Sequence, residues 1–108
     1  MIKGIIIVML KHVVMISLKD LCFGPELENI KNNMKSEMEK LNGQIEGLVS
    51  LNVYPDCLSS SNIDVTMEML FEDEDAFKNY KINPLKIAAE KEVLVPYQND
   101  VIAADYMV

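Results

Sequence analysis

The chain has 108 residues, half of them hydrophobic, and carries 17 acids against 10 lysines for a net charge of −7. That hydrophobic share excludes a disordered chain, and the length suits one domain with one core. Arginine is absent and no basic block occurs, so no guanidinium is present to grip phosphate or guanine with two bonds, and nucleic acid is not an expected partner.

The N-terminus reads MIKGIIIVMLKHVVMISLKD, an apolar start made twice, at Met1 and at Met9. Lys11 and His12 interrupt the run and no small-x-small cleavage site follows, so it does not read as a signal peptide. It is also too short to span a membrane, which takes about 20 residues. As one strand, Ile5–Leu18 would run about 45 Å at about 3.3 Å per residue, beyond ordinary strand length. The strand is therefore expected to begin near Met9. Residues 1–8 then read as an N-terminal extension, and the competing reading is an added arm that packs on a partner.

Leu10–Leu18 is apolar on both sides, with Leu10, His12, Val14, Ile16 and Leu18 pointing one way and Val13 and Met15 the other. Gly24-Pro25 fits the N-cap and first turn of a helix. Leu27, Ile30, Met34, Met38, Leu41 and Ile45 form its apolar stripe, Glu26 and Glu28 suit its positive end, and Asn42-Gly43 fits its C-cap. Gly47–Tyr54 predicts a second strand with Val49, Leu51 and Val53 on one face and Leu48, Ser50, Asn52 and Tyr54 on the other. After a serine-rich loop, Ile63–Phe71 alternates most cleanly. Four acids at Glu72–Asp75 open a helix with Ala76, Phe77 and Tyr80 inward. Asn83-Pro84 breaks it and caps another, with Leu85, Ala88, Ala89 and Val93 inward, and Asp100–Val108 closes the chain as a strand.

The order β-α-β-β-α-β is that of an α+β, ferredoxin-like protomer: a four-stranded antiparallel sheet with helices on one face. A first strand apolar on both faces leaves a bare apolar sheet face. The economical cover is a second copy, which gives a homodimer joined through its sheet faces.

Three stretches and the closing strand resemble the stress-responsive A/B barrel domain (Dabb) family: MLKHVVMISLKD, IEGLVSLNV, FEDEDAFKNYKINPLKIAAE and VIAADY. The resemblance covers about residues 9–108. It implies a dimeric α/β barrel of ferredoxin-like protomers whose domain starts at Met9. A polyketide cyclase of that family works without a cofactor through a Tyr/His pair. By that resemblance its tyrosine falls on Tyr80, while its His-Pro-x-His segment reads Asn83-Pro84-Leu85-Lys86 here. Asn83 thus replaces the first histidine and Lys86 the second, catalytic one, so the pair is broken. The first-strand histidine is kept as His12, and a third-strand pocket histidine falls near Asp64.

The candidate catalytic residues are therefore Tyr80 as a phenol donor, with His12 or Lys86 moving the proton. Candidate ligand-binding residues are His12, Tyr54, Asp64, Tyr80 and Asn83. Each has an ordinary alternative: a hydrogen-bonded core or interface histidine, a packed tyrosine, a solvated lysine, a helix-capping asparagine, a solvated strand edge. His12 is the only histidine, and Cys22 and Cys57 lie outside any CxxC spacing, so no metal and no cofactor is expected. Two reduced thiols fit a cytoplasmic protein. The expected function is binding of a small apolar or aromatic molecule in a cavity between sheet and helices. The alternative is a cofactor-independent enzyme on a polyketide-like carbonyl compound. A haem-degrading or quinone-forming monooxygenase stands third, on fold analogy alone.

Overall fold

A computed structural model describes residues 8–20 and 22–108. Residues 1–7 of the expected extension lie outside the described residues. Seven elements follow in chain order: β1 Leu10–Leu18, α1 Pro25–Glu39, β2 Leu48–Tyr54, β3 Val65–Phe71, α2 Glu74–Lys81, α3 Pro84–Val93 and β4 Gln98–Met107. The strands form one antiparallel sheet in the order β2-β3-β1-β4, and the fold is ferredoxin-like as expected. Among the described residues, no helix is long and apolar enough to cross a membrane.

Alternation places the core. Leu10, Val14 and Ile16 of β1 lie beside Val65, Met67, Met69 and Phe71 of β3, and beside Leu51 and Val53 of β2, all buried under the helices. Ile30, Met34 and Met38 carry the stripe of α1 down onto this face. Burying each such side chain contributes about 1.5–3 kcal/mol. Asp73 caps α2, its side chain accepting from the Ala76 N–H at 2.8 Å, and Ala76, Phe77 and Tyr80 point inward.

Four details differ from the sequence reading, each for a local reason. First, α1 ends at Glu39, ahead of Asn42-Gly43; the Asn42 side chain donates to the Glu39 carbonyl at 3.0 Å and also serves β2. Its Oδ1 accepts from the Leu51 N–H and its Nδ2 donates to the Leu51 carbonyl, both at 2.8 Å. One pair further on, Glu39 Oε2 accepts from the Val53 N–H at 2.9 Å, while Lys35 Nζ donates to the Val53 carbonyl at 3.0 Å. Side chains from the end of α1 thereby occupy the backbone groups along the outer edge of β2.

Second, the register of β2 against β3 shifts between Leu48 and Ser50. This bulge turns Leu48 inward and leaves Val49 exposed, the reverse of simple alternation. Third, α3 buries Val93 and half-buries Lys86, Ala89 and Glu90, whereas Leu85 and Ala88 are exposed. Its phase follows the Asn83-Pro84 start rather than its apolar residues. Fourth, β3 begins at Val65 rather than Ile63, and β4 begins at Gln98 rather than Asp100.

β4 stands apart from the helical layer. Val101, Ala103, Asp105 and Met107 share the helix side of the sheet with β1, yet they are as exposed as Ile102, Ala104 and Tyr106 on the outer side. At the opposite end of the sheet, Gly47 at φ +83° lets β2 meet α2 closely, since a Cβ there would come within 2.4 Å of the Ala76 Cβ.

Two predictions follow from this packing. Gly47→Ala and Gly43→Ala share the strain of a positive φ, about 1 kcal/mol or more. Only Gly47→Ala adds the clash with Ala76, a further loss of about 1–3 kcal/mol, so its urea midpoint falls well below that of Gly43→Ala; equal midpoints would contradict the contact. At the β2 edge, Asn42→Ala lowers stability by about 1–3 kcal/mol. Burial raises the Glu39 carboxyl, but hydrogen bonds from Lys35 and the Val53 N–H outweigh it and hold the group below its ordinary value of 4.5. Its contribution is complete above that value and disappears as pH falls through the lower folded-state value. Glu39→Gln is expected to flatten this acid-side loss in pH-dependent denaturation.

Candidate functional site

The described candidates form two groups, with Tyr54 and Asp64 apart from both. At the junction of α2 and α3, Tyr80 is 2 % exposed and its ring packs on Phe71 with centroids 5.0 Å apart. The Asn83 Oδ1 accepts from the Leu85 N–H at 2.9 Å and so starts α3. One turn on, Lys86 pairs with Glu90 at 2.8 Å and holds its ammonium 5.5 Å from the centre of the Tyr80 ring. Lys86 is only 17 % exposed at its side chain, so it is not the solvated lysine of the ordinary alternative. Tyr80, Asn83 and Lys86 are thus brought together as the sequence spacing implies.

The second group is at the β1–β4 pair. His12 lies directly across from Asp105, and its Nδ1 is hydrogen-bonded to the Asp105 carboxylate. The imidazole packs on Phe77 at 4.7 Å between centroids, and Phe77 packs on Phe71 at 5.3 Å. Two phenyl rings therefore stand in the chain of contacts between His12 and Tyr80. Tyr54 and Asp64 belong to neither group. Tyr54 is exposed on the outer sheet face, across from Thr66. Asp64 Oδ2 accepts from the Leu18 N–H at 2.7 Å, at the end of β1 remote from Leu10.

The electrostatics assign chemistry. Burial, reinforced by the Glu90 carboxylate, pushes the Tyr80 phenol above the ordinary tyrosine range. Tyr80 therefore keeps its phenol proton at physiological pH. Lys86, tied to Glu90, supplies positive charge beside it. Among the described residues, no cluster of three His, Cys, Asp or Glu side chains is placed to hold a metal.

Open space lies against Asp105 and Phe77, the two residues that His12 touches. A depression of about 320 Å³ is walled by Leu10, Phe77, Asp105, Tyr106 and Met107, with Glu74, Lys78 and Lys81 of α2 at its rim. Sequence reading missed Asp105 because only the β1–β4 register puts it opposite His12. It also missed Glu90, whose spacing of four from Lys86 was readable as a helical ion pair.

No curated protein matches the chain. Several solved structures share the fold. A dimeric protein of unknown function with a ferredoxin-like fold from Bacteroides fragilis is 23 % identical, with a TM-score of 0.84 over 93 % of this chain and 96 % of that one. A Dabb family protein from Mesorhizobium loti is 21 % identical, with a TM-score of 0.72 over 92 % and 95 %. The hydroxynitrile lyase of Passiflora edulis is 13 % identical, with a TM-score of 0.74 over 93 % of each chain. At these identities the likeness is one of fold. The sequence profile of the Stress Responsive A/B Barrel Domain (Dabb) matches residues 10–108, nearly the whole chain, and the chain belongs to that family.

Proposed function

We propose that this chain works as a homodimer, two sheets packed outer face to outer face, that binds a small apolar or aromatic molecule without transforming it. The observation that carries the dimer is the uncovered side of the sheet. All the helices lie on one face, while the outer face presents Val13, Met15, Leu70, Ile102 and Tyr106, with Ile102 56 % and Tyr106 47 % exposed. An uncovered face of this kind, apolar around the Lys11–Glu68 ion pair, calls for a partner, and a two-fold axis lets the same surface serve both copies. The description of the B. fragilis neighbour as dimeric supports the same reading.

The ligand is assigned to the depression beside His12 and Asp105. The layer around Tyr80 is filled by Phe71 and Phe77, whereas the adjoining depression is open, with apolar surface from Leu10, Phe77 and Met107 and charged groups from Glu74, Lys78, Lys81 and Asp105.

A second reading has a specific observation in its favour, the Lys86 ammonium over the Tyr80 ring. On that reading the chain is a cofactor-independent enzyme in which the Tyr80 phenol polarises a carbonyl and His12 or Lys86 moves the proton. The Dabb-fold hydroxynitrile lyase lends it an analogy of fold only.

Sedimentation equilibrium tests the first reading. The protein is expected to be a dimer, and Met15→Glu with Ile102→Glu is expected to give a folded monomer; a monomeric parent protein would reject the assembly. For the second reading, Tyr80→Phe should lower turnover of a polyketide-like carbonyl substrate about a hundredfold. Unchanged turnover in that variant dismisses the enzyme.

A further inference from the structure

We infer that Asp105 is the polar group that selects the ligand in this depression, held in place by His12, and that the ligand class is an aromatic molecule bearing a hydroxyl donor, such as a phenol or an enol. This rests on the proposal that the depression binds a small molecule, and it goes further by naming the atom that recognises it.

The argument begins with register. His12 and Asp105 are directly opposite on adjacent antiparallel strands, both on the helix side of the sheet. His12 is well anchored: its side chain is 14 % exposed, it stacks on Phe77, and its cross-strand neighbour on the other side is Met69. Its Nδ1 meets Oδ1 of Asp105. A carboxylate has two oxygens and about four acceptor positions, so one oxygen fixed by the imidazole leaves the other oriented and available. Asp105 itself is 42 % exposed at its side chain and forms part of the depression wall, whereas His12 stands behind it.

The surroundings explain why this one acceptor matters. Leu10, Phe77 and Met107 present apolar or aromatic surface, which suits a flat hydrophobic body. The charges near the depression come from α2. Glu74 and Lys78, of opposite sign, add no net charge between them, and of the two carboxylates that line the depression Asp105 is the one held by a ring nitrogen. Lys81 lies with its ammonium 4.3 Å from the centre of the Phe77 ring. Asp105 is then the acceptor set into the wall. A ligand hydroxyl satisfies it, whereas a ligand ether of the same shape leaves it facing an apolar surface. A hydrogen bond to a charged acceptor distinguishes two such molecules by about tenfold or more.

The pair of probes that tests this is 2-naphthol and 2-methoxynaphthalene, titrated into the full-length dimer and followed by heteronuclear NMR. 2-Naphthol is expected to bind about tenfold or more tightly, with shifts at Leu10, Asp105 and Met107. Asp105→Leu is expected to remove the preference while both probes still bind. Asp105→Asn, which keeps the shape and loses the charge, should reduce the preference to a few-fold. His12→Phe should weaken the preference while leaving 2-methoxynaphthalene binding unchanged, as befits a positioning residue. Equal binding of the two probes to the parent protein overturns the role of Asp105 and leaves the binding site standing. A preference that survives Asp105→Leu or Asp105→Asn in full also overturns it. Failure of both probes to bind rejects the site itself, and the inference with it.

Discussion

The central strand β1 sets the terms for everything else in this molecule. It is hydrogen-bonded on both sides, to β3 and to β4, and it sets apolar side chains on both faces, Leu10, Val14 and Ile16 on one and Val13 and Met15 on the other. The chain has enough helix to cover one of those faces and no more. On the covered side, β1 meets the methionine-rich surface of α1 and β3, where flexible thioethers fill irregular space. On the other side the requirement stands open, and it is the origin of both the proposed assembly and the position of β4. A central strand so placed leaves a lone sheet with one wet, largely apolar face; it asks for a second layer.

The same constraint orders the polar groups. Because Leu10, Val14 and Ile16 share the helix side with His12, the histidine is drawn into an aliphatic and aromatic setting. An imidazole there needs a partner, and β4 supplies a carboxylate at the matching position. At the α2–α3 junction the corresponding need is met differently. Glu90 answers Lys86, and the two close over Tyr80. Two polar pairs thus flank one aromatic cluster of Phe71, Phe77 and Tyr80. The cluster is filled, so the accessible chemistry lies at its margin, where β4 leaves the helical layer.

Much of this was legible from residues alone, and the exceptions have physical causes. β1 and the body of β3 could be read because their alternation is regular, and Asp73, Asn83 and Pro84 mark helix starts by well-defined hydrogen-bonding chemistry. The inward face of β2 could not be read past Leu48, since a bulge adds one residue without any composition signal and reverses the alternation. On α3 the apolar residues misled, because the helix is phased by its cap and by the Lys86–Glu90 pair rather than by Leu85 and Ala88. Of the site, His12, Tyr80, Asn83 and Lys86 were recognisable as polar residues at telling positions. Asp105 was not, since its importance depends on a pairing ninety-three residues away in sequence. Tyr54 and Asp64 showed the opposite limit: polar residues on strands or beside them, whose direction and distance from the aromatic cluster only the sheet reveals.

The side chains that sheathe β2 have a consequence for how copies of this chain can join. Asn42, Glu39 and Lys35 occupy the donors and acceptors that a neighbouring strand would need, at Leu51 and Val53. The β2 edge is therefore closed to strand addition, and copies that meet through the outer sheet face do not go on to pair along β2. A protein that presents β-structure to its own copies, yet must stop at a finite number, has in those three side chains a means of stopping at this edge.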